Sequence, residues 1–210
     1  MANKNIKKVK RPSNSGGKIL FKNKFLERLT RTHISVPITI LCIFAAGMVA
    51  WAVYYNLLSS PTIISMFFAG MLTFSLVEYL VHRYLFHITP NSKAKEKFQY
   101  TIHGVHHEFP KDVERLAMPP LLSAIISVVL LFLFVWAMGD YALAFLPGFL
   151  VGYCAYLGVH FIIHAWSPPN NFFKKLWINH SIHHYKDNQI AFGVSSPLWD
   201  YVFGTIRRKK

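Results

Sequence analysis

The chain has 210 residues, room for one domain, and its 53% hydrophobic content excludes intrinsic disorder, which requires low hydrophobicity. Only 15% of the residues are charged, yet the formal net charge is +14; because the basic residues lie between and outside long apolar runs, this pattern argues against a soluble nucleic-acid-binding protein. The two cysteines, Cys42 and Cys154, lie inside apolar runs, so we expect neither a disulfide framework nor a cysteine-based zinc site.

Residues 1–31 form a basic tail with ten basic residues and one acidic residue. Its first 18 residues are rich in Lys, Asn, Ser and Gly, a composition typical of disorder. Four apolar side chains then follow at helical spacing among basic residues: Phe21, Phe25, Leu26 and Leu29. This spacing fits either an interfacial amphipathic helix against anionic headgroups or a solvated basic arm. The basic stretch is too long for a cleaved signal peptide, so we expect none.

Four apolar runs are each long enough to cross a bilayer, which takes about 20 apolar residues. They cover residues 36–58, 61–81, 120–138 and 141–163. Glu78 and Asp140 are the only formally charged residues within these runs or the short turns that pair them into two hairpins. The sequence therefore predicts an all-α integral membrane protein with four transmembrane helices in two hairpins.

The remaining segments hold the positive charge that orients these helices. Residues 82–117 contain six basic and four acidic residues, and residues 164–210 contain seven and two. The positive-inside rule places both termini and the central loop in the cytoplasm. We expect a multi-pass protein of the plasma (inner) membrane in a bacterium, or of the endoplasmic reticulum in a eukaryote.

Ten of the eleven histidines fall into four clusters at or beyond the cytoplasmic ends of the runs, and only His33 stands apart. The clusters are His82 and His87; His103, His106 and His107; His160 and His164; and His180, His183 and His184. Positions i, i+3 and i+4 share a helix face, so the imidazoles of one cluster should point together. His82 and His87 are five residues apart, so the helix must unwind or bulge between them.

Imidazole is the commonest protein metal ligand and suits iron, zinc, copper and nickel. Ten imidazoles are too many for one metal, so we predict a histidine-rich di-metal site in a cytoplasmic helical cap. A loose metal-sequestering tract is disfavoured, because the clusters are compact and tied to helix ends. A metal transporter or storage protein is the alternative from another class. Transport sites lie near the membrane midplane, where these runs have neither charge nor His.

A ligand imidazole normally donates its second N–H to a carboxylate or carbonyl, so acids near the clusters are candidates for that role. Glu78 is the first candidate, because it lies one turn before His82 and acids inside membranes are rare. Asp112, Asp187 and Asp200 follow. The alternatives are a helix-end carboxylate at the interface for Glu78 and a structural cap for Asp200.

The motifs HRYLFH, HGVHH, HFIIH and HSIHH, in this order around four spans, resemble those of the membrane-bound fatty acid hydroxylase/sterol desaturase superfamily. The stretches HHEFPKDVERLAMPP at 106–120 and FGVSSPLWDYVFGT at 192–205 make the chain most similar to fatty acid 2-hydroxylases. The resemblance extends from about Phe68 to Thr205.

This resemblance implies a di-metal centre that uses O2 to hydroxylate a lipid acyl chain. The position that the resemblance favours is C2 of a fatty acid or sphingolipid acyl group. It implies iron in the active form, and zinc in isolated protein is compatible with the affinity order of divalent metals. All ten clustered histidines would be metal ligands, and catalytic through the metals, in a hydroxylase domain over residues 32–210. The alternative is a desaturase, or a sterol or carotenoid hydroxylase, of the same superfamily.

Some members of the family have a fused cytochrome b5 domain with a His-Pro-Gly-Gly motif, which this sequence lacks. We therefore expect a separate electron donor, such as cytochrome b5 or ferredoxin with its reductase. The lipid acyl substrate should enter laterally from the bilayer, with its carbonyl end near the metals. Candidates to line its channel are Tyr84, Phe161, Trp166, Tyr185 and Trp199, and candidates to bind its polar end are Arg115 and Lys186.

Overall fold

The computed structural model describes residues 12–207, and residues 1–11 of the predicted disordered tail lie outside that range. All regular structure in the described range is helical. The α-helices are α1 (Lys24–Leu29), α2 (Ser35–Tyr54), α3 (Ser60–Leu80), α4 (Lys93–Gln99), α5 (Val105–Glu108), α6 (Pro120–Met138), α7 (Ala142–Ala165), α8 (Lys174–Tyr185) and α9 (Leu198–Val202). Two π-helices, Val81–Phe86 and Tyr100–Gly104, continue α3 and α4, and two 3-10 turns lie at Val113–Arg115 and Gly139–Tyr141.

Each of the four apolar runs forms one long helix, α2, α3, α6 or α7. By length and apolarity, three stretches of the described chain are candidate membrane spans: Ser35–Tyr54, Ser60–Phe86 and Val113–Ala165, the last of which contains both α6 and α7. Large side chains on these helices are exposed, as contact with lipid requires; examples are Ile43, Phe68, Phe132 and Trp136.

The first long helix ends at Tyr54, four residues before the end of the predicted run at 58. Asn56 has a φ of 50°, and this left-handed conformation terminates a helix. The next helix begins where the Ser59 hydroxyl accepts a hydrogen bond from the Thr62 N–H, with Pro61 in the first turn. Local chemistry thus sets the tight turn between α2 and α3.

The backbones of α3 and α7 approach closely because each helix presents glycine to the other. A Cβ added at Gly70 would overlap the carbonyl oxygen of Phe145, and one added at Gly148 would overlap that of Phe67. Small residues at such crossings let membrane helices pack by van der Waals contact. This contact fixes the spacing between the helices that lead to His82 and His160.

Replacing Gly148 with alanine should therefore destabilise the protein, by about 1–3 kcal/mol if the overlap is relieved as in other overpacked cores. Thermal unfolding in detergent would measure the loss. Gly158→Ala, in the same helix, is the matched control, because its new Cβ would meet open space and the melting temperature should not fall. An unchanged melting temperature for Gly148→Ala would contradict the tight packing of α3 against α7.

The chain around α1 is tied by ion pairs to the loop that follows α5. The guanidinium of Arg115 contacts Glu27 and donates to the Thr30 hydroxyl at 2.8 Å and the Lys18 carbonyl at 2.9 Å. Its side chain is only 4% exposed. Arg115 is thus engaged within the protein rather than placed to bind a lipid headgroup, whereas Lys186 is exposed.

Candidate metal centre

The π-helix that continues α3 brings together the two histidines of the first cluster. A π-helix bonds residue i to residue i+5, so it places positions five apart on the same face. Val81–Phe86 has this form, and the rings of His82 and His87 lie 5.1 Å apart between centroids. The predicted bulge between these two residues is confirmed.

The ten clustered histidines gather into two groups of five. The first histidine group consists of His82, His87, His103, His107 and His183. The second histidine group consists of His106, His160, His164, His180 and His184. Within each group, one ring nitrogen per residue lies within 4.8 Å of the corresponding nitrogen of every other member. All five members of the second group are buried, while His87 and His107 of the first are partly exposed.

The two polar clusters are divided between these groups. The HGVHH cluster contributes its i and i+4 members, His103 and His107, to the first group and His106 to the second. The HSIHH cluster contributes His183 to the first group and its i and i+4 members to the second. The prediction that each cluster points together was wrong for His106 and His183. Each of these two clusters therefore contributes imidazoles to both groups.

The ring nitrogens are arranged as a cation would require. In the first group, Nε2 of His103 lies 3.2 Å from Nε2 of His82 and 3.0 Å from Nε2 of His107. In the second, Nε2 of His164 lies 3.1 Å from that of His160 and 2.8 Å from that of His180. Each such pair can share at most one hydrogen, so several lone pairs converge on the same space.

Several buried nitrogens have no hydrogen-bond partner among the described residues: Nδ1 of His106, His160, His180 and His184, and Nε2 of His184. Orphaned buried polar atoms are rare in native proteins, and Nε2 of His184 belongs to the group in which the other Nε2 atoms converge, so it points to a missing ion there. The donor set is entirely imidazole, which suits iron and zinc. The residues of both groups therefore fit bound metal ions.

Burial keeps the imidazoles outside the long helices neutral. Loss of hydration lowers the pKa of His183 to about 4, against the opposing effect of its bond to the Ile190 carbonyl. Burial and the nearby His183 lower the pKa of His87 to about 3. Burial, reinforced by neighbouring imidazoles, holds the pKa of His103 and His184 well below 6.5. Neutral imidazole is the form that binds a metal.

Two of the four acids proposed from the sequence accept hydrogen bonds from one loop. This loop consists of residues 190–196 and is here called the carbonyl loop. Glu78 accepts hydrogen bonds from the backbone N–H groups of Val194 at 2.8 Å and Ser195 at 3.0 Å, and from the Ser195 hydroxyl. Asp200 accepts from the N–H groups of Phe192 at 2.9 Å and Gly193 at 2.8 Å. These bonds reach backbone rather than imidazole.

The carbonyl loop in turn contacts the first histidine group. His82 Nδ1 lies 2.5 Å from the Phe192 carbonyl oxygen, and His183 Nδ1 lies 2.8 Å from that of Ile190. The sequence pattern does not single out these acceptors, because they are backbone atoms on a segment distant in sequence from His82. The FGVSSPLWDYVFGT stretch was the available signal, since it contains Phe192 and Asp200.

Among the described residues, the ion-pair and hydrogen-bond partners of the other two acids are not imidazoles. Asp112 pairs with Arg31 at 3.3 Å and with Arg115 at 3.4 Å. Asp187 is exposed and accepts a hydrogen bond from the Gln189 N–H at 2.9 Å. Both acids therefore hold loops next to the clusters.

Three aromatic rings that were not proposed for an acyl channel contact the histidine groups. Phe86 stacks on His103 with centroids 4.7 Å apart, Tyr156 stacks on His160 at 5.4 Å, and Phe192 meets the edge of His183 at 5.4 Å. Of the five proposed residues, Tyr185 contacts a histidine ring, with its centroid 6.2 Å from that of His184. Tyr84, Trp166 and Tyr185 are exposed, Phe161 packs near Leu157, and Trp199 donates to the Ser75 hydroxyl.

This protein combines long apolar helices with two groups of five imidazoles. These features place it in a class of membrane-associated helical proteins with a histidine-rich centre. Residues 67–205 match the family model described as fatty acid hydroxylase. The chain belongs to this fatty acid hydroxylase family.

Relatives of this family are similar over most of the chain. The dihydroceramide fatty acyl 2-hydroxylase FAH2 of Arabidopsis thaliana is 41% identical over 138 residues, 65% of this chain and 58% of that protein. The ceramide very long chain fatty acid hydroxylase SCS7 of Saccharomyces cerevisiae is 36% identical over 212 residues, 95% of this chain and 53% of that protein. The chain thus spans little more than half the length of these two relatives.

A solved structure shares the fold. Full-length scs7p, in which only the hydroxylase domain is visible, matches with a TM-score of 0.81 and 34% identity. The match covers 90% of this chain and 72% of that one.

Proposed function

We propose that this chain is a membrane-bound di-iron monooxygenase that hydroxylates a lipid acyl chain at C2. The observation that supports this most directly is the convergence of ten imidazoles into two groups of five. Relatives named as fatty acyl 2-hydroxylases support the choice of substrate and position. When bound, a pair of iron ions would supply the redox chemistry by which O2, two electrons and two protons convert an acyl C–H into C–OH and water.

The chain's own residues hold and shield this centre. The ligands are the ten histidines of the two groups: His82, His87, His103, His106, His107, His160, His164, His180, His183 and His184. The rings of Phe86, Tyr156 and Phe192 cover the imidazoles and limit access of water. Zinc competes for the same imidazoles and would give an inactive protein. Electrons come from an external donor such as cytochrome b5 or ferredoxin with its reductase.

The proposed topology has four crossings with the metal centre on the cytoplasmic side. His82 and His87 follow α3 directly, and His160 and His164 lie in the last turns of α7. The tight turns of both hairpins lie at the opposite ends of these helices. The segments near the histidines are basic, as the positive-inside rule requires for cytoplasmic loops.

The short helix α1 lies at the cytoplasmic interface in this proposal. Phe25, Leu26 and Leu29 are exposed, and Phe25 and Leu29 border an open groove of about 350 Å³ with Pro120 and Leu121. The groove lies where α6 begins, so these apolar side chains sit at the depth where lipid headgroups meet acyl chains.

Lipid analysis tests this function directly. The chain is expressed in a host without 2-hydroxy acyl chains, with iron and a reductase system supplied, and released acyl chains are analysed by mass spectrometry under 18O2. We expect 2-hydroxy acyl chains that contain one 18O atom, and none in host cells without the gene. Desaturated acyl chains without 18O would instead support the desaturase alternative. The absence of any modified lipid would contradict the proposed activity.

A further inference from the structure

We propose that the two metal positions are inequivalent: Asp200 positions the carbonyl loop, and the loop makes the first histidine group the tighter metal site. This inference rests on the proposed function only in requiring that both groups bind metal. It assigns a role to the FGVSSPLWDYVFGT stretch and to a residue that touches no imidazole.

The carbonyl loop fixes the ring tautomer of two ligands. A carbonyl oxygen can only accept, so the Phe192 and Ile190 carbonyls require a hydrogen on Nδ1 of His82 and His183. A neutral imidazole has a single N–H, which leaves Nε2 of each ring with a free lone pair. Those Nε2 atoms face the centre of the first group, 3.2 Å from Nε2 of His103 and 2.9 Å from Nε2 of His87.

Four of the five rings in the second histidine group lack such a partner among the described residues. Nδ1 of His106, His160, His180 and His184 is buried without a hydrogen-bond partner among the described residues. No described backbone carbonyl or carboxylate therefore holds these four rings in the tautomer that binds metal through Nε2. Partners that orient a ligand imidazole typically contribute 10–100-fold to metal affinity. The first group should accordingly retain its metal more tightly than the second.

Asp200 holds the carbonyl loop in place through hydrogen bonds. Both of its oxygens receive hydrogens, Oδ1 from the Phe192 N–H and Oδ2 from the Gly193 N–H. Oδ1 also receives the hydroxyl hydrogen of Thr205 at 2.7 Å, and Thr205 lies 2.9 Å from the Tyr79 hydroxyl. Arg83 donates to the oxygen of Tyr79 at 2.8 Å, so the hydrogen of Tyr79 is directed to Thr205.

This donor chain makes asparagine a poor replacement for Asp200. The amide NH2 would face a backbone N–H or the Thr205 hydroxyl, because the carboxylate accepts on both oxygens. Glu78→Gln is milder. Its amide oxygen can still accept from Val194 and Ser195, while the amide nitrogen donates to the Ser195 hydroxyl, which can also accept.

The test is a chelator titration of full-length protein loaded with Zn²⁺ in detergent, with retained zinc counted by mass spectrometry. We expect two release steps of about one zinc each in the unmodified protein. His183→Ala should remove the tighter step, and His184→Ala the weaker one. Asp200→Asn should weaken the tighter step 10–100-fold and leave the weaker one in place, with a smaller effect for Glu78→Gln.

Two further variants keep the outcome interpretable. Thr205→Val preserves the side-chain shape and removes one hydrogen-bond donor to Asp200. It should therefore shift the same release step even if Asp200→Asn fails to fold. Asp140→Asn, in the exposed turn before α7, should change neither step. A single release step for both zinc ions would overturn the proposal, as would equal weakening of both steps in Asp200→Asn and Thr205→Val. Unmodified protein that binds no zinc or iron would overturn the proposed function as well.

Discussion

Replacement of His103 with alanine should lower the yield of 2-hydroxylated acyl chains by more than about 100-fold. A residue that only orients a ligand typically contributes 10–100-fold to metal affinity or activity, and a ligand should exceed that. His103 is buried, and its Nε2 lies between Nε2 of His82 and Nε2 of His107. Its loss would open the middle of the first histidine group.

His33→Ala is the matched control for this variant. His33 is the one histidine outside the two groups, and it is exposed with Nδ1 2.7 Å from the Ser35 hydroxyl. Both variants are assayed by lipid analysis in the same host, with protein and metal contents measured in parallel. His103→Ala should bind about one metal ion per chain fewer than the His33→Ala variant. Activity of His103→Ala near the control level would contradict its role as a ligand.

Local features of the sequence predict much of this structure. Uninterrupted apolar runs predict the long helices because only a helix satisfies its own backbone in lipid. The five-residue separation of His82 and His87 predicts a bulge, and the π-helix at Val81–Phe86 is its physical form. Both predictions depend on neighbours in sequence, which is why the sequence alone supports them.

The division of the histidines into two groups depends on how helices are rotated in the folded chain. Spacing places His103, His106 and His107 on one side of a helix, but two sites lie on that side. His103 lies in the π-helix Tyr100–Gly104 and His106 in the α-helix that follows, so the helical pitch changes between them. No pattern within the HGVHH motif contains this information.

Backbone acceptors and distant ion pairs are beyond sequence reasoning for the same reason. Glu78 lies one turn before His82, which suggests direct contact, yet its carboxylate binds the backbone of a loop 116 and 117 residues away in the chain. Arg115 lies just before the third apolar run, which suggests a headgroup ligand, yet its guanidinium contacts Glu27. In each case a partner far along the chain changes the role of the side chain.

Arg115→Ala should destabilise the protein by about 3 kcal/mol. Removal of one partner from a buried ion pair costs about 3–5 kcal/mol, because the remaining charge stays buried. Arg115 and Asp112 are 4% and 8% exposed, and Glu27 is 16% exposed. Arg31 stays within 3.5 Å of Glu27 and 3.3 Å of Asp112, so its charge offsets part of the loss and favours the low end of the range.

Thermal unfolding in detergent should place the melting temperature of Arg115→Ala about 6–12 °C below that of the unmodified protein. Arg28→Ala removes the same kind of side chain from an exposed position on α1, and it should change the melting temperature little. Because Arg115 joins the segment around α1 to the loop behind His106 and His107, protease cleavage within residues 12–31 should also become faster. Equal stability of the two arginine variants would mean that this network does not anchor the N-terminal segment.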